Sequence, residues 1–257
     1  MNDISFRRFL VEDLEIKNNF CLITGREAHH ISKVLRMGRG DGLVLLDGKG
    51  GRFIAEIQSV SHEGIKVQIK RPLNPAEPPA FEITLCQAVI KSASMDYLIQ
   101  KTSELGVTRI FPFFSSRSVV HLKGDRQQKK RRRWKDIAHN AAKQCKRDIP
   151  AEIGPPTSFE QQLTSFGNAP GLKVILWENE TSQDLKGLLQ NRDPAHDLEG
   201  FTGMVGPEGG FTPDEVSNAE RAGFMPVSMG HRILRAETAA LVLVAIVQYE
   251  WGDLQLR

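Results

Sequence analysis

Cysteine is scarce in this 257-residue chain: Cys21, Cys86 and Cys145 are widely spaced and odd in number, which suits neither a disulfide framework nor a paired zinc site. The seven histidines show no His-x-x-x-His or His-Glu-x-x-His spacing, and no acidic pair has metal-ligating spacing, so no metal is expected. His29, His30, His121, His139 and His231 are better read as surface groups than as metal ligands. Long apolar runs are missing as well. The longest, Ala239 to Val247, is far shorter than the roughly 20 residues a bilayer crossing requires. The opening Met-Asn-Asp-Ile-Ser-Phe-Arg-Arg-Phe-Leu has no apolar signal core. These absences predict neither a membrane span nor secretion, and a reducing cytoplasmic setting. No internal repeat is visible.

What is present fits a globular chain with a sizeable core: 40% of residues are apolar and 25% charged. The net charge of +3 hides an uneven distribution. Between Arg117 and Arg147 there are 12 Lys and Arg against Asp125 and Asp136, a local +10, which leaves 3 − 10 = −7 for the remainder. A patch of that sign attracts polyanions through counterion release and is the footprint of a nucleic-acid binder; its plainer alternative is a solvated helix face.

The first seventy residues hold short β-type runs broken by glycine, at Gly42–Asp47, Arg52–Ile57 and Ile65–Ile69. Alternation in Phe53, Ala55, Ile57 and in Ile65, Val67, Ile69 predicts antiparallel strands with one buried face each, the central pair forming a hairpin. A short helix at His29–Arg36 would place Ile31, Val34 and Leu35 on one side. Pro72, Pro75, Pro78 and Pro79 then stiffen the chain and mark a boundary between residues 1–72 and 73–257.

Beyond the prolines, strands alternate with helices. Strands are predicted at Phe81–Ile90, near Val107–Phe114, at Lys173–Trp177, before Gly206 and around Met225–Met229. Helices are predicted at Met95–Leu105 with Gly106 as its cap, about Asp125–Lys146, at Thr212–Ala222 and at Ala236–Tyr249. That alternation predicts an α/β domain with a mostly parallel sheet, whose ligands collect at the carboxyl ends of its strands. Three loops lie there: after Trp177, at Gly206–Gly210 and at Gly230–Glu237.

Met204-Val-Gly-Pro-Glu-Gly-Gly-Phe-Thr-Pro-Asp-Glu-Val216 carries the most information. Its three glycines let backbone approach a ligand, and Thr212, Pro213 and Glu215 spell a helix start with a capping box. The loop is neither a Walker loop nor a Gly-x-Gly-x-x-Gly fingerprint. Ser228-Met-Gly-His-Arg-Ile-Leu-Arg-Ala-Glu-Thr-Ala-Ala-Leu241 is a second loop that runs straight into an apolar helix. Its Arg232 and Arg235 serve either chemistry or simple pairing with a carboxylate such as Glu237. In the tract Lys129-Lys-Arg-Arg-Arg133 and the helix after it, Trp134, Ile137, Ala141 and Cys145 recur at helical spacing and belong to the core, which leaves the cations outside.

Taken together, Gly206-Pro-Glu-Gly-Gly-Phe211, Met229-Gly-His-Arg-Ile-Leu-Arg-Ala-Glu-Thr-Ala239, His30–Arg36 with Gly40-Asp41, and Asp47-Gly-Lys-Gly50 resemble the ribosomal RNA small-subunit methyltransferase E family of the SPOUT superfamily. The resemblance covers essentially the whole chain. It implies a small PUA-like RNA-binding β-barrel at 1–72, then an α/β SPOUT domain at 73–257 with a mostly parallel sheet and a deep trefoil knot, one of the few exceptions to the rule against threading. It also implies a homodimer that uses S-adenosylmethionine, and no metal, to methylate N3 of one uridine in small-subunit ribosomal RNA.

By the same resemblance, Leu176, Gly206, Gly210, Met229, Gly230, Ile233, Leu234 and Thr238 would hold the cofactor. Arg235 would stabilise charge on the uracil, with Glu208 orienting a loop or accepting a proton. Arg7, Arg8, Arg36, Lys129, Lys130, Arg131, Arg132 and Arg133 would meet RNA, and the last helix, through Leu241, Val244 and Val247, would form the dimer contact. Two alternatives stay open on the sequence: a non-catalytic RNA-binding ribosome-assembly factor, and a SPOUT enzyme acting on transfer RNA or on a ribose 2′-hydroxyl.

Overall fold

In a computed structural model, residues 6–11, 14–79, 81–120, 124–192 and 199–254 are described. They divide into two compact units. One comprises the described residues up to Pro78 together with Ala142–Pro150; the other comprises the described residues from Pro79 to Ala141 and from Ala151 onward.

The first unit is built on a five-stranded sheet ordered β1-β3-β4-β5-β2: β1 is Arg7–Leu10, β2 Phe20–Ile23, β3 Gly42–Leu46, β4 Arg52–Val60 and β5 Ile65–Pro72. The hairpin expected at the centre is β3 with β4. Its turn is tied by the Asp47 carboxylate, which accepts the N–H groups of Lys49 at 2.7 Å and Gly51 at 2.8 Å. β1 lies parallel to β3, and the other pairings are antiparallel.

Ala55, Ile57, Ile65 and Val67 point into one core with Phe9, Ile23, Leu43 and Leu45. The sheet departs from simple alternation because its other face is covered too. Leu10, Val44, Leu46 and Ile54 form a second cluster there, since successive residues of a strand point to opposite faces, and the β4–β5 pairing shifts register between Ile54 and Ala55, passing over Lys70 of β5. Inside this unit the half-buried Asp148 pairs with Arg8 at 3.1 Å and Arg52 at 3.4 Å. The short helix α1, Gly25–His29, runs on into a π turn at His30–Val34, where the Leu35 N–H reaches the His30 carbonyl at 3.0 Å. The wider π turn rotates Val34 outward to 62% exposure while Ile31 stays buried, so the three apolar residues do not share one side.

The second unit is a seven-stranded, fully parallel sheet ordered β12-β10-β11-β6-β7-β8, with β9 also on β7. Its strands are β6 Ile83–Ala88, β7 Arg109–Phe114, β8 Glu152–Ile153, β9 Thr157–Ser158, β10 Leu172–Leu176, β11 Phe201–Val205 and β12 Met225–Val227. Every residue of β6 and of β11 is buried, because helices cover both faces. On one side, α2 (Ser92–Glu104), α3 (Asp125–Cys145), α5 (Leu185–Gln190) and α7 (Ala236–Trp251) supply Met95, Leu98, Trp134, Ala138, Leu188, Leu243 and Val247 to the core. On the other side, α4 (Phe159–Phe166) and α6 (Pro213–Arg221) supply Phe159, Leu163, Phe166, Val216 and Ala219.

Two helix ends behave as their residues dictate. Gly106 closes α2 at φ +95°. Thr212 caps α6 in a reciprocal box: its hydroxyl accepts the Glu215 N–H at 3.1 Å, and the Glu215 carboxylate accepts the Thr212 N–H at 2.9 Å. The last helix corrects one expectation. Val244 and Val247 are wholly buried within the unit's own core, so they cannot form a contact between copies. A helix apolar all round does not announce in its sequence which stripe turns inward. None of the described helices is long and apolar enough to cross a membrane.

Candidate active site at the carboxyl edge of the parallel sheet

From β6 the chain builds outward to β7 and β8. It then returns on the far side, placing β10, β11 and β12 so that β11 lies between β6 and β10. The order therefore reverses at the β6/β11 border, and the loops leaving β6, β10, β11 and β12 share the carboxyl edge, the place where open parallel sheets bind ligands.

The loop after β11 is a tight turn closed by the Gly210 N–H on the Pro207 carbonyl at 3.0 Å. Gly210 sits at φ +67°, a conformation that calls for glycine, and a Cβ there would lie 2.5 Å from Oε1 of Glu178, whose side chain would have to swing aside. Downstream, the buried ring of Phe211 stacks on Phe113 with centroids 6.3 Å apart and leans on Phe159 at 5.8 Å. The fully buried Gln87 on β6 donates its amide to the Ala88 carbonyl at 3.0 Å and to that of Gly206 at 3.4 Å. Glu208 is exposed, and its carboxylate accepts the N–H of Lys91 at 3.2 Å, at the start of α2. A carboxylate in that position suits the partial positive charge of a helix N-terminus.

The loop after β12 is stitched to the segment following β10. Ser228 donates its N–H to Gln183 at 2.9 Å, its carbonyl takes the Leu185 N–H at 3.0 Å, and the Trp177 N–H reaches Val227 at 3.0 Å. Leu176 lies in register with Val227, and both Leu176 and Met229 are half-buried against the core. Gly230 takes φ +97° with open space around its Cα. Beyond it the chain is bare: Ile233 is 87% exposed, Thr238 is exposed and Leu234 half-buried. Arg235 is the N-cap of α7. Neither Arg232 nor Arg235 makes a side-chain hydrogen bond or ion pair among the described residues, so pairing with Glu237 is not what holds them there. In the segment after β10, Glu180 accepts the hydroxyl and the N–H of Ser182, each at 2.6 Å, which holds its carboxyl below the usual range.

Leu176, Gly206, Glu208, Gly210, Met229 and Gly230 thus lie on the loops of one sheet edge, with Arg235 opening the helix that follows. Sequence reasoning missed several residues that shape this edge: Gln87, Lys91, Arg117 and Glu178. Arg117 donates to the Gly209 carbonyl at 2.9 Å, a bond across 92 positions that no local pattern encodes. Two buried polar atoms here have no partner among the described residues, Oε1 of Gln87 and Nε1 of Trp177. Cys86 is no nucleophile, since burial pushes its thiol up to about 12.

The cationic tract divides by role. Arg131 donates to the Ile153 carbonyl at 3.1 Å, Arg133 pairs with Asp96 at 2.8 Å and Lys130 bonds the Ser92 hydroxyl. Lys129 and Arg132 are exposed and make no such contact among the described residues. In the first unit Arg8 is engaged with Asp148, whereas Arg7 and Arg36 are exposed. His121 lies outside the described residues. No group of three or more His, Cys, Asp or Glu among the described residues could hold a metal ion.

Comparison with known proteins agrees in both units. The RNA methyltransferase domain family matches residues 76–248, and the RNA methyltransferase PUA domain family matches 23–70. The chain is 32% identical to the ribosomal RNA small subunit methyltransferase E of Buchnera aphidicola, covering 96% of this chain and 94% of that one. It is 30% identical to the protein of the same name from Bacillus subtilis, covering 89% of each. Among solved structures, the Neisseria gonorrhoeae ribosomal RNA small subunit methyltransferase E bound to S-adenosyl methionine superposes with a TM-score of 0.83 at 31% identity, over 97% of this chain and 100% of that one. A Legionella pneumophila protein in complex with the same cofactor gives 0.84 at 29% identity, over 97% and 99%.

Proposed function

The chain belongs to the ribosomal RNA small subunit methyltransferase E family, and on that footing we propose that it methylates N3 of one uridine in 16S ribosomal RNA with S-adenosylmethionine as donor. In this reading residues 1–72 bind RNA as a PUA-like barrel, residues 73–257 form the trefoil-knotted transferase, and the reaction takes place in the cytoplasm.

The observation that carries the proposal is the guanidinium of Arg235, unpaired among the described residues, at the start of α7 on the same sheet edge as the glycine turn and the Ser228–Gly230 bend. That edge suits the donor. Leu176 and Met229 offer half-buried apolar surface for an adenine, Gly230 offers open backbone, and the unpartnered polar atoms of Gln87 on β6 and of Trp177 after β10 lie at the same sheet edge. Ile233, Leu234 and Thr238 complete the proposed lining. The donor supplies a methyl group already activated on a sulfonium.

The remaining work falls to the protein. N3 of uracil carries a proton, and its loss leaves negative charge on the O2/O4 system. Arg235 places fixed donors and a positive charge where that charge develops, which a preorganised site does far better than water. The Glu208 carboxylate, committed to the Lys91 N–H, braces the glycine turn. Arg7, Arg36, Lys129 and Arg132 are the cations free to meet phosphates, while Arg8, Lys130, Arg131 and Arg133 would have to leave protein partners first.

A homodimer would use the outward stripe of α7, at Thr238, Val242, Ala245 and Tyr249, in place of the buried valines; sedimentation as a monomer at working concentration would refute it. The deciding experiment for the function is mass spectrometry of nucleosides from ribosomal RNA of a strain lacking this protein. Loss of a single N3-methyluridine is the expected result, and an unchanged set of methylated nucleosides would end the proposal.

A further inference from the structure

Arg235 is the arginine placed to act on the substrate, but the arginine with the most specific geometry is Arg117, in the turn that follows β7. Residues 115–118 brace themselves: Ser115 donates its N–H to the Ser118 hydroxyl at 3.0 Å, Ser118 returns its N–H to the Ser115 carbonyl at 3.1 Å, and both serines are buried. This rigid turn lies directly on Gly209, where an added Cβ would stand 3.2 Å from the Cβ of Arg117. From it Nη1 of Arg117 donates to the Gly209 carbonyl at 2.9 Å and reaches toward that of Phe211 at 3.5 Å. The neighbouring Ser116 N–H donates to Oε1 of Glu215 at 2.9 Å, and the other oxygen of Glu215 holds the Thr212 N–H.

The peptide between Gly209 and Gly210 is therefore fixed at both ends. Its carbonyl is taken by Arg117, and its N–H is taken by the Pro207 carbonyl at 3.0 Å. No side chain on Gly209 or Gly210 restricts this peptide plane, so its orientation rests on these two hydrogen bonds, and the one that comes from outside the turn is supplied by Arg117. We infer that Arg117 is a positioning residue for the methyl-donor loop: it acts through the backbone of Gly209–Phe211 and touches neither the donor nor RNA. This rests on the reading of that loop as the cofactor site. Arg117 is a cation beside a site for a cationic donor, so a direct charge effect would oppose binding. A hydrogen-bonding role makes a different prediction, because a misplaced backbone weakens the sulfonium donor and the uncharged thioether product alike.

The test compares wild type with Arg117→Ala and Arg117→Lys by calorimetry against S-adenosylmethionine and S-adenosylhomocysteine, with amide hydrogen exchange on the ligand-free proteins. Arg117→Ala is expected to weaken both ligands equally, by about tenfold, the effect of losing one charged hydrogen bond that orders a site, with RNA affinity unchanged. Amides of Gly209–Phe211 should exchange faster without ligand, and Arg117→Lys should recover part of the loss. Unchanged donor affinity with weaker RNA binding makes Arg117 an RNA contact and overturns the inference. Selective tightening of the donor makes it an electrostatic opponent and overturns the inference as well. Should Arg117→Ala fail to fold, Arg117→Lys decides on the same readouts. Should wild type bind neither ligand, the cofactor reading fails while the exchange data still decide whether Arg117 orders the turn.

Discussion

The two loops at the carboxyl edge of the parallel sheet are opposites. The turn at Gly206–Phe211 is hydrogen-bonded by Gln87 on β6, by Lys91 after β6 and by Arg117 after β7, and Glu178 after β10 stands close to Gly210. The loop at Ser228–Arg235 is fastened only at its root, through Ser228, and then leaves Ile233 and two arginines without partners among the described residues. A site that must hold one ligand in a fixed pose and admit a second, much larger one needs this division: rigidity on one side, and unspent hydrogen-bonding groups on the other.

The sharpest way to break the comparison is Arg235→Ala. If the free loop supplies the charge that balances uracil, this variant should lose on the order of a hundredfold or more in kcat, as removal of a preorganised donor does, while binding S-adenosylmethionine with unchanged affinity. Stopped-turnover assays and calorimetry on one preparation check it. Gly210→Ala attacks the fixed loop instead. A side chain at positive φ costs roughly 1–2 kcal/mol, and the nearby Glu178 must also move, so donor affinity should fall about tenfold with a smaller change in kcat.

Glu208→Gln sharpens the assignment of roles. An amide oxygen still accepts from Lys91, so a bracing role predicts a change of less than about threefold, whereas a proton acceptor would lose about a hundredfold or more. A pH–rate profile that loses its acidic limb would likewise mark Glu208 as the base. The smallest effects are expected from the tract. Lys129→Glu with Arg132→Glu should lower the salt slope of RNA binding by about one unit per lost phosphate contact, without changing the melting temperature. Arg133→Ala should instead release Asp96 and leave the salt slope unchanged, and a slope that falls would show that Arg133 too meets a phosphate.

Much of this edge could be read from the sequence wherever structure is local. Thr212, Pro213 and Glu215 spell their own helix start, Gly106 its stop, and the Gly42–Ile57 hairpin follows from alternation around an Asp-Gly-Lys-Gly turn. Elements decided by distant partners could not be read. β1 is four residues whose place depends on Leu43–Leu46, and α4 and α5 are short helices held by distant partners, α4 against β7 and β9 and α5 against α7. The same limit applied to the site. Glycines and arginines carry a pattern, but a guanidinium that bonds a carbonyl 92 positions away carries none. In α7 the apolar residues on every side concealed that Val244 and Val247 turn inward while Val242 and Ala245 do not.

The make-up of the first unit bears on how the chain is synthesised. Because Asp148 closes onto Arg8 and Arg52, and Ala142–Pro150 belong with residues up to Pro78, the leading unit has all five of its strands but lacks this last segment until the residues between have left the ribosome. Nascent chains arrested before that segment emerges should be more readily proteolysed in their first strands than chains arrested after it, which makes the order of translation a determinant of when the first unit becomes complete.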